Sequence, residues 1–391
     1  MKISISCKYF APRGGAQTFL FHFADALLDS GHQVKVHALE VEADTDRIEV
    51  EWLQMPAVPK TFRDLAYARA SRRALSRSDA DVAFGEQKSW GASVVRPGGG
   101  VHLEYMRQEV KSYPFAAQRA WKSLTKPYSP KELLNLYIER RLYIAPELRC
   151  VIANSKLLRR HLLAHYPELG GRVALVYNGV NCDHYGPHLR NEYRQAVRDE
   201  LNIPRGALVA VFVAYDWRRK GLATLIRSLP LVMDEGPRRP VYAIVVGRGD
   251  RPLTRFLARW EGATERLRFV GATDPAPYYG AADVLALPTY FDPCANVTLE
   301  ALACGLPAIT TVHNGAHELL TPGKDGYVTE DPSDAAALAA CLATCADRED
   351  MAEASAEARE LATNHTVEKM YREIEDILVE VANGGCCTGR D

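Results

Sequence analysis

The sequence predicts an α/β protein that consists of two doubly wound domains, each a parallel sheet covered by helices. The 391 residues exceed the length at which a single hydrophobic core stops growing, so two domains are the default expectation. Short apolar segments of strand character alternate with helical segments in the first half of the chain, and the alternation recurs in the second half. The connecting segments are long enough to serve as crossovers between parallel strands.

The first half opens with a β-α-β unit. An apolar alternating segment predicts a strand from Ile3 to Tyr9, and a turn at Pro12 to Gly15 leads into a helix from Ala16 to Ser30. A second strand is predicted at 34–38, which completes the unit. Further strands are predicted at 50–54, 81–84, 93–96, 150–153 and 172–177, with a helix at 155–165.

The second half repeats this pattern. Strands are predicted at 208–214, 241–246, 267–270, 284–288 and 308–311, and helices at 220–234, 252–262, 275–280, 296–304, 333–345, 348–363 and 367–382. A turn signal at 178–181 follows a strand, so the first domain is expected to span 1–178 and the second 179–366. The glycine-rich polar end at 384–391 is expected to be a flexible tail.

Composition and charge argue against several classes of partner. The 48 Lys and Arg residues nearly balance the 49 Asp and Glu residues, which gives no overall attraction to nucleic acid. The N-terminal segment has one lysine followed by strand-like alternation, without the apolar region of a signal peptide. No run approaches the roughly 18 apolar residues that span a membrane. A cytoplasmic protein without a nucleic-acid partner is therefore expected.

The nine cysteines are scattered and form none of the C-x-x-C pairs of zinc or redox sites. We interpret them as reduced thiols. Cys386 and Cys387 lie in the polar glycine-rich end and are expected to be exposed. His161 and His165 form the H-x-x-x-H pair of the chain and share a helix face. We interpret this pair as incidental, so no metal site is predicted.

Three loops that follow predicted strands carry unusual residues, and ligands of doubly wound sheets bind at such strand ends. In the first loop, Gly14 and Gly15 precede a helix, so the backbone there can approach a phosphate closely. A plain tight turn explains the two glycines equally well. The spacing is not the G-x-G-x-x-G of dinucleotide-binding proteins.

The second loop places Arg218, Arg219 and Lys220 directly after an apolar strand. Positive charge concentrated at a strand end is unfavourable unless an anion is bound there. An arginine can bind a phosphate through two parallel hydrogen bonds, and a lysine provides a compact charge. The loop therefore predicts an anion site, with a solvated basic turn as the alternative.

The third loop contains Asp292 and leads into a helix that begins at Asn296 and carries Glu300. The unpaired N–H groups of a helix start suit a phosphate, and the two carboxylates can accept hydrogen bonds from hydroxyl groups on either side. This arrangement is typical of a nucleotide-sugar site. Alternatively, Asp292 caps the helix and Glu300 is a surface carboxylate, although the apolar neighbours of Glu300 indicate a buried position that needs a partner.

A glycine-rich loop also precedes His102, after a predicted strand at 93–96. Its glycines permit a close approach of the backbone to a ligand, but a lone histidine is more often structural than catalytic. The chain has no G-x-S-x-G, no Walker A motif and no H-E-x-x-H, so serine hydrolase, P-loop and zincin chemistry have no support.

The segment 107–141 is basic and aromatic. It contains eight Lys or Arg residues against three Glu residues, interleaved with Tyr, Phe and Trp. This composition suits an anionic membrane surface. It also suits a polyanionic acceptor or a solvated helical face, and the sequence does not decide among the three.

These motifs resemble those of the GT-B glycosyltransferases of family GT4, and the resemblance runs from Met1 to about Ala382. The N-terminal segment 8–17 is similar to the lipopolysaccharide core glucosyltransferase I group. The most specific matches are Val151-Ile-Ala-Asn-Ser155, Val176-Tyr-Asn-Gly-Val180, Arg219-Lys-Gly221, the segment 292–307 and Asn314-Gly-Ala-His-Glu318. The resemblance implies two Rossmann-like domains that face a central cleft, the first on the acceptor side and the second binding the nucleotide sugar. The helix at 367–382 would pack back on the first domain.

For the donor, the resemblance implies that the E-x7-E motif of the family corresponds to Asp292 and Glu300. Glu300 would bind the ribose hydroxyls of the nucleotide, and Asp292 would bind hydroxyls of the donor sugar. Arg219 and Lys220 would neutralise the diphosphate.

The resemblance assigns supporting roles to four further positions. The backbone N–H groups of Asn296 and Val297 would assist with the diphosphate. Gly15 would lie close to the donor from the other domain. His102 matches the histidine of the G-V-H loop of the family and would contact the transferred sugar.

Two positions depart from the family pattern. Asp292 replaces the usual Glu, which shortens the reach of the carboxylate by one methylene and bears on the donor sugar. Gly99 stands where relatives often have Asp, in G-D-G-V-H. A charge-stabilising role of that Asp would have to be supplied by another residue, for which Glu104 is a candidate.

The implied reaction is the transfer of a hexose, glucose by analogy, from a UDP-sugar to a glycan or glycolipid such as a lipopolysaccharide core, with retention of configuration. The implied enzyme is a metal-independent hexosyltransferase without a cofactor, because fixed cations balance the diphosphate. It could contact the inner face of the plasma membrane through 107–141. The alternatives are a non-catalytic sugar-nucleotide-binding protein and a GT-B epimerase or phosphorylase.

Overall fold

The computed structural model describes residues 1–11, 15–42, 46–234 and 236–387. They form two α/β units, each built on one parallel sheet. The first unit comprises 1–107, 121–177 and the chain from Glu368 onward, and the second comprises 108–120 and 178–367. The prediction of two doubly wound α/β domains is confirmed.

The first unit contains seven parallel strands. In chain order they are β1 (Lys2–Phe10), β2 (Gln33–Val41), β3 (Glu49–Trp52), β4 (Val82–Glu86), β5 (Val94–Arg96), β6 (Cys150–Ala153) and β7 (Val173–Leu175). Their order in the sheet is β3-β2-β1-β4-β5-β6-β7. The helices in this part of the chain are α1 (Gly15–Asp29), α2 (Arg63–Leu75), α3 (His102–Lys111), α4 (Ala116–Thr125), α5 (Pro130–Tyr143) and α6 (Lys156–His165).

The second unit contains six parallel strands, which are β8 (Leu208–Ala214), β9 (Val241–Gly247), β10 (Leu267–Gly271), β11 (Val284–Leu287), β12 (Ala308–Thr311) and β13 (Gly326–Thr329). Their order is β10-β9-β8-β11-β12-β13. The helices are α7 (His188–Glu200), α8 (Leu222–Asp234), α9 (Arg251–Trp260), α10 (Ala276–Ala281), α11 (Asn296–Ala303), α12 (Ala335–Asp347) and α13 (Met351–Thr363). The last helix, α14 (Val367–Ala382), belongs almost entirely to the first unit.

Each sheet has one point at which the strand order reverses. In the first unit the chain leaves β1 toward β2 on one side, and β4 pairs with β1 on the other side. In the second unit β9 and β11 flank β8 in the same way. In open parallel sheets, the crevice beyond the carboxyl ends of the strands at this point is the usual place for a ligand.

Several elements were not predicted from the sequence, among them α2, α7 and the edge strand β13. Helix α7 is largely polar, and only Leu189, Val197 and Arg198 are buried. Arg198 is buried because its guanidinium reaches Asp283 at 2.7 Å and the carbonyl oxygen of Ala281 at 2.8 Å. A core-facing arginine breaks the apolar periodicity by which a helix is recognised.

The expectation for the C-terminal cysteines is wrong in one respect. Cys387 is fully buried and forms a disulfide bond with Cys150, the first residue of β6. The two residues are 237 positions apart, so no local spacing pattern could reveal the pair. The interpretation of all the cysteines as reduced thiols is therefore also wrong for Cys150 and Cys387.

Among the described residues, no helix combines the length and the apolar character needed to cross a membrane.

Candidate functional site

Two loops of the second unit meet at its switch point. The loop that follows β8 contains Asp216 to Gly221, and the loop that follows the neighbouring strand β11 contains Asp292. The backbone N–H of Tyr290 donates to the carbonyl oxygen of Arg219 at 2.9 Å, and the hydroxyl of Thr289 donates to the same oxygen at 3.3 Å. The two loops that the sequence singled out are therefore joined to each other.

Gly221 allows this junction. Its φ is +83°, and a Cβ atom built there would lie 1.9 Å from the carbonyl oxygen of Pro288. Gly262, at φ +73°, has nothing within 4 Å of such a Cβ. Gly221 thus combines a left-handed backbone conformation with a close contact to the backbone of Pro288. Gly262 has only the left-handed conformation.

We predict that Gly221→Ala destabilises the protein more than Gly262→Ala, the matched control. The control loses about 1–2 kcal/mol because of its backbone conformation. Gly221→Ala loses about 1–3 kcal/mol more, because the methyl group pushes the two loops apart. Urea unfolding measures both values. Equal losses would mean that the two loops do not need their close contact.

Lys220 and Asp292, one from each loop, form an ion pair between the ammonium and a carboxylate oxygen. Lys220 is 8% exposed. Burial lowers the pKa of its ammonium, and the carboxylate of Asp292 opposes that shift. Asp292 also accepts a hydrogen bond from the backbone N–H of Cys294 at 3.1 Å, which fixes its side chain.

Arg219 lies beside this pair. Its guanidinium donates to the carbonyl oxygen of Phe291 at 2.6 Å and to Asp216 at 3.2 Å. These contacts hold the guanidinium at the same junction of loops as Lys220. The structure therefore brings together two of the three cations that the sequence placed at this strand end.

The third cation, Arg218, is directed elsewhere in the second unit. Its guanidinium pairs with Glu109, donates to the hydroxyl of Ser112 at 2.8 Å and lies 3.9 Å from the ring centre of Tyr113. The expectation that three cations crowd one site is wrong for Arg218, because a carboxylate and an aromatic ring distant in sequence hold it.

The start of helix α11 is built without a capping side chain of its own. Its N-cap is Ala295, whose N–H donates to the side-chain oxygen of Asn314 at 3.0 Å. Asn314 also donates to the hydroxyls of Thr298 and Thr310 at 3.1 and 3.0 Å. The alternative in which Asp292 caps this helix is therefore wrong.

Asn296 and Val297 are the first two residues of α11, where backbone N–H groups have no partner within the helix. Asn296 is exposed, and its side-chain oxygen accepts a hydrogen bond from Asn178 at 2.5 Å. Asn178 also donates to the carbonyl oxygen of Cys294 at 2.8 Å. The helix start is thus fixed in place by the turn that begins the second unit.

Glu300 is half-buried on α11 and accepts a hydrogen bond from the hydroxyl of Tyr279 at 2.8 Å. Burial raises the pKa of its carboxyl group to about 7, and the hydrogen bond from Tyr279 only partly opposes this. The alternative of a solvated surface carboxylate is therefore wrong. Tyr279 was missed in the sequence, because nothing in its local pattern connects α10 with α11.

His102 is the first residue of α3 in the first unit. Its ring nitrogen Nε2 lies 2.6 Å from a carboxylate oxygen of Glu132, and its backbone N–H donates to Glu139 at 3.0 Å. The side chains of His102 and Glu132 are each 12% exposed. Both acids lie on α5, so this helix fixes the position and the ring orientation of the histidine.

The space beside Gly99 is occupied. A Cβ atom at Gly99 would lie 2.3 Å from the side-chain oxygen of Gln87, and the amide group of Gln87 donates to the carbonyl oxygen of Gly100 at 2.9 Å. Gln87 therefore fills the position toward which an Asp at 99 would point. Glu104 lies 2.7 Å from the ring of His165 and 2.8 Å from the guanidinium of Arg107, so its carboxylate already has two hydrogen-bond partners.

The glycine turn of the first unit is described only in part. Gly15 is the first residue of α1, and Gly14 lies outside the described residues. The role of Gly15 near a donor stays a prediction.

Two glycosyltransferase family models match successive parts of the chain. The model described as Glycosyltransferase Family 4 matches residues 13–184, and the model described as Glycosyl transferases group 1 matches residues 207–348. The second match contains Arg219, Lys220, Asp292 and Glu300.

Several curated relatives match about half of this chain. The D-inositol 3-phosphate glycosyltransferase of Streptomyces scabiei is 30% identical over 212 residues, 51% of this chain and 47% of the relative. Spore coat protein SA of Bacillus subtilis is 28% identical over 195 residues, 46% of this chain and 51% of the relative. The chain thus spans about half the length of the curated relatives it matches.

Several solved structures match nearly the whole chain. WaaG, a glycosyltransferase involved in lipopolysaccharide biosynthesis, has a TM-score of 0.76 at 22% identity, with coverage of 96% of this chain and 99% of WaaG. Anabaena HepE in complex with UDP and glucose has a TM-score of 0.69 at 20% identity, with coverage of 97% and 99%. These likenesses establish that the fold is GT-B, as the sequence resemblance implied.

Proposed function

Since the chain belongs to the GT4 family of GT-B glycosyltransferases, we propose that it transfers a hexose from a nucleoside diphosphate sugar to a hydroxyl group of a glycan or glycolipid. The observation that carries this proposal is the contact between Lys220 and Asp292 beside the start of α11. Cations, a helix N-terminus and hydroxyl-binding carboxylates at one switch point match the phosphates and hydroxyls of such a donor.

We assign the diphosphate to Arg219, Lys220 and the N–H groups of Asn296 and Val297. Departure of the diphosphate leaves negative charge on its oxygens while positive charge develops at the anomeric carbon. Fixed cations and helix N–H groups stabilise that negative charge without rearrangement during the reaction. On this account the enzyme needs no metal ion, because the balancing charge is part of the chain.

In the proposed reaction Asp292 has two partners, Lys220 and the donor sugar. Its carboxylate is held by Lys220. An ammonium group has three donors, so Lys220 can hold Asp292 and a phosphate oxygen together. The carboxylate then keeps lone pairs for hydroxyl groups of the donor sugar, at a reach one methylene shorter than that of the usual Glu.

Glu300 is assigned to the ribose. The hydroxyl of Tyr279 already occupies one of its oxygens, which leaves acceptor capacity for the 2′- and 3′-hydroxyls. The complex of Anabaena HepE with UDP and glucose supports UDP as the nucleotide and glucose as the hexose.

His102 is assigned to the transferred sugar. Glu132 holds Nε2 of the ring, so Nδ1 is the atom we propose to face a sugar hydroxyl. Departure of the leaving group on the same face as attack of the acceptor gives retention of configuration. The leaving phosphate accepts the acceptor proton, so the mechanism requires neither Glu104 nor an acid at position 99.

The acceptor class is inferred from WaaG. WaaG acts in lipopolysaccharide biosynthesis, which favours a glycolipid such as a lipopolysaccharide core.

The transfer is tested by incubating the purified protein with a panel of nucleotide sugars, with and without an acceptor lipid extract, while release of the diphosphate is followed. Release that depends on the acceptor supports transfer. Tight binding without release indicates a sugar-nucleotide-binding protein, and conversion of the donor without an acceptor indicates an epimerase or a phosphorylase.

We also propose that part of the segment 107–141 contacts anionic membrane. In the first unit the side chains of Trp121, Leu124 and Tyr128 are 59%, 72% and 79% exposed. Lys122 lies among them, with its ammonium 4.6 Å from the ring centre of Trp121. Exposed aromatic and aliphatic groups beside lysines can insert at a lipid interface while the charges meet anionic headgroups.

Co-sedimentation with liposomes of anionic lipid tests this contact. We expect binding that weakens as salt is raised and that is lost in the double variant Trp121→Ala/Leu124→Ala. Trp260, 77% exposed in the second unit, provides the control Trp260→Ala. Absence of binding at low salt, or equal loss in the control, would overturn the proposal.

A further inference from the structure

The first unit contains a second concentration of positive charge at its own switch point. Lys8 lies near the carboxyl end of β1, and Lys88 lies in the loop directly after β4. Both ammonium groups bind Asp64, which lies in the first turn of α2, each on a different carboxylate oxygen. The distance from Lys88 Nζ to Asp64 is 2.6 Å. One carboxylate therefore serves two ammonium groups, which leaves the cluster with a net positive charge.

The two lysines are held in place by their surroundings. Lys88 has a left-handed backbone, with φ at 76°, which is uncommon for a residue other than glycine. Its ammonium donates to the side-chain oxygen of Asn135 at 3.1 Å, and Asn135 is buried on α5. Lys8 lies over the ring of Tyr67, 5.4 Å from its centre. The residues of the cluster come from β1, from the loop after β4, from α2 and from α5, and not from a single surface loop.

The charges in this cluster are not balanced internally. Burial opposes ionisation of Asp64, yet its hydrogen bonds with the two lysines hold the pKa of its carboxyl at about 2, so it is ionised. Burial raises the pKa of the nearby Glu86 to about 7, against the influence of Lys8 and Arg96, so this second acid is only partly ionised at neutral pH. Burial, together with repulsion from Lys88, lowers the pKa of Lys8. A bound oxyanion would relieve that repulsion.

Lys35 provides a contrast within the same unit. Its ammonium lies 3.0 Å from Glu49 and 3.0 Å from Glu51, so one cation meets two carboxylates. This is the balance of an ordinary solvated ion pair on an edge of the sheet. The Lys8 and Lys88 cluster has the opposite ratio and lies where ligands of parallel sheets bind.

We propose that Lys8 and Lys88 form a subsite for an oxyanion, a phosphate or a carboxylate, carried by the acceptor. The proposal rests on the proposed function and adds to it that the first unit receives the acceptor. Two ammonium groups fixed by one carboxylate can each donate to a different oxygen of the same anionic group. The subsite would select acceptors that bear such a group near the reacting hydroxyl.

A site-specific titration tests the proposal. The wild-type protein, carrying 13C at the lysine ε carbons and saturated with UDP to fill the donor site, is titrated with inorganic phosphate, with acetate and with chloride. We expect the NMR signals of Lys8 and Lys88 to shift and reach saturation with phosphate or with acetate, but not with chloride. The signal of Lys35 should show, with every salt, only the shift that chloride causes. The anion that saturates identifies a phosphate or a carboxylate on the acceptor. Signals that respond equally to all three salts would overturn the proposal.

Kinetics provide the second measurement. Lys88→Asn removes the charge and tolerates a positive φ, and Lys8→Met keeps the apolar part of the side chain. For each we expect the KM for the acceptor extract to rise about tenfold or more, as for loss of a charged hydrogen bond. The KM for the donor should stay the same in both variants. Lys88→Arg keeps the positive charge, so its KM for the acceptor should rise less than that of Lys88→Asn. Lys35→Gln, the control, should leave the KM for the acceptor unchanged. An unchanged acceptor KM in both variants would overturn the subsite, whereas failure of UDP to bind would overturn the proposed function.

Discussion

The variant Lys220→Ala should lower the turnover number at least about 100-fold, the cost of losing one preorganised donor to a developing negative charge. Lys220 is the most buried cation of the site, so water replaces its ammonium poorly. The loss should appear in kcat measured with saturating UDP-sugar and acceptor, because the leaving diphosphate carries more charge in the transition state than in the bound donor.

The exposed Lys324 of the second unit gives the matched control, Lys324→Ala, which should keep full activity. A second variant tests whether the ion pair between Lys220 and Asp292 contributes to stability. Asp292→Asn keeps the size of the side chain and leaves Lys220 without its ionic partner, so thermal unfolding reports whether the pair is needed for stability. Wild-type turnover in folded Lys220→Ala would be incompatible with the assignment of the diphosphate to this residue.

The affinity for UDP-glucose should rise with pH through about 7, with Glu300 as the titrating group. Burial raises the pKa of this carboxyl from 4.5 to about 7 in the folded chain. Ribose hydroxyls donate to a carboxylate, so the donor favours the ionised form. The diphosphate of UDP-glucose is doubly esterified and does not titrate in this range, which makes UDP-glucose a better probe than UDP.

The same shift has a consequence for stability. Because the folded pKa of Glu300 lies above its ordinary value, its stabilising contribution is present in full below pH 4.5 and is lost as the pH rises toward about 7. Ionised Glu300 thus weakens the ligand-free protein at neutral pH, and a bound ribose supplies the missing hydrogen bonds. UDP-glucose should therefore raise the melting temperature more at pH 8 than at pH 6.

Calorimetry on Glu300→Gln tests whether Glu300 is the group whose titration sets the affinity for UDP-glucose. We expect an affinity for UDP-glucose lower by about tenfold or more and without pH dependence between 6 and 8. Glu330→Gln, at an exposed position in the second unit, is the control and should bind like the wild type. A pH dependence that persists in Glu300→Gln would assign the titration to another group.

Much of the proposed donor site could be predicted from local sequence. Asp292, Asn296 and Glu300 fall on one loop and one short helix, so their spacing alone predicts an anion site between two carboxylates. Lys220 required one further inference, that loops following neighbouring parallel strands meet at the same sheet edge. The ion pair between Lys220 and Asp292 is the direct result of that topology.

The rest depended on contacts between residues far apart in the chain. Arg218 does not join the expected cation cluster because it forms an ion pair with Glu109. Cys387 is buried because it forms a disulfide bond with Cys150. Neither partner is marked by a local pattern. The cluster of Lys8 and Lys88 was missed for the same reason, since Asp64, which joins the two lysines, lies on a helix that the sequence did not predict.

A crystal structure of the protein with bound UDP is the most direct test of the donor site. We predict that phosphate oxygens lie within hydrogen-bond distance of Lys220 Nζ, of the Arg219 guanidinium and of the Val297 N–H, with the ribose hydroxyls on Glu300. UDP bound at another place, or bound with its ribose away from Glu300, would contradict the account.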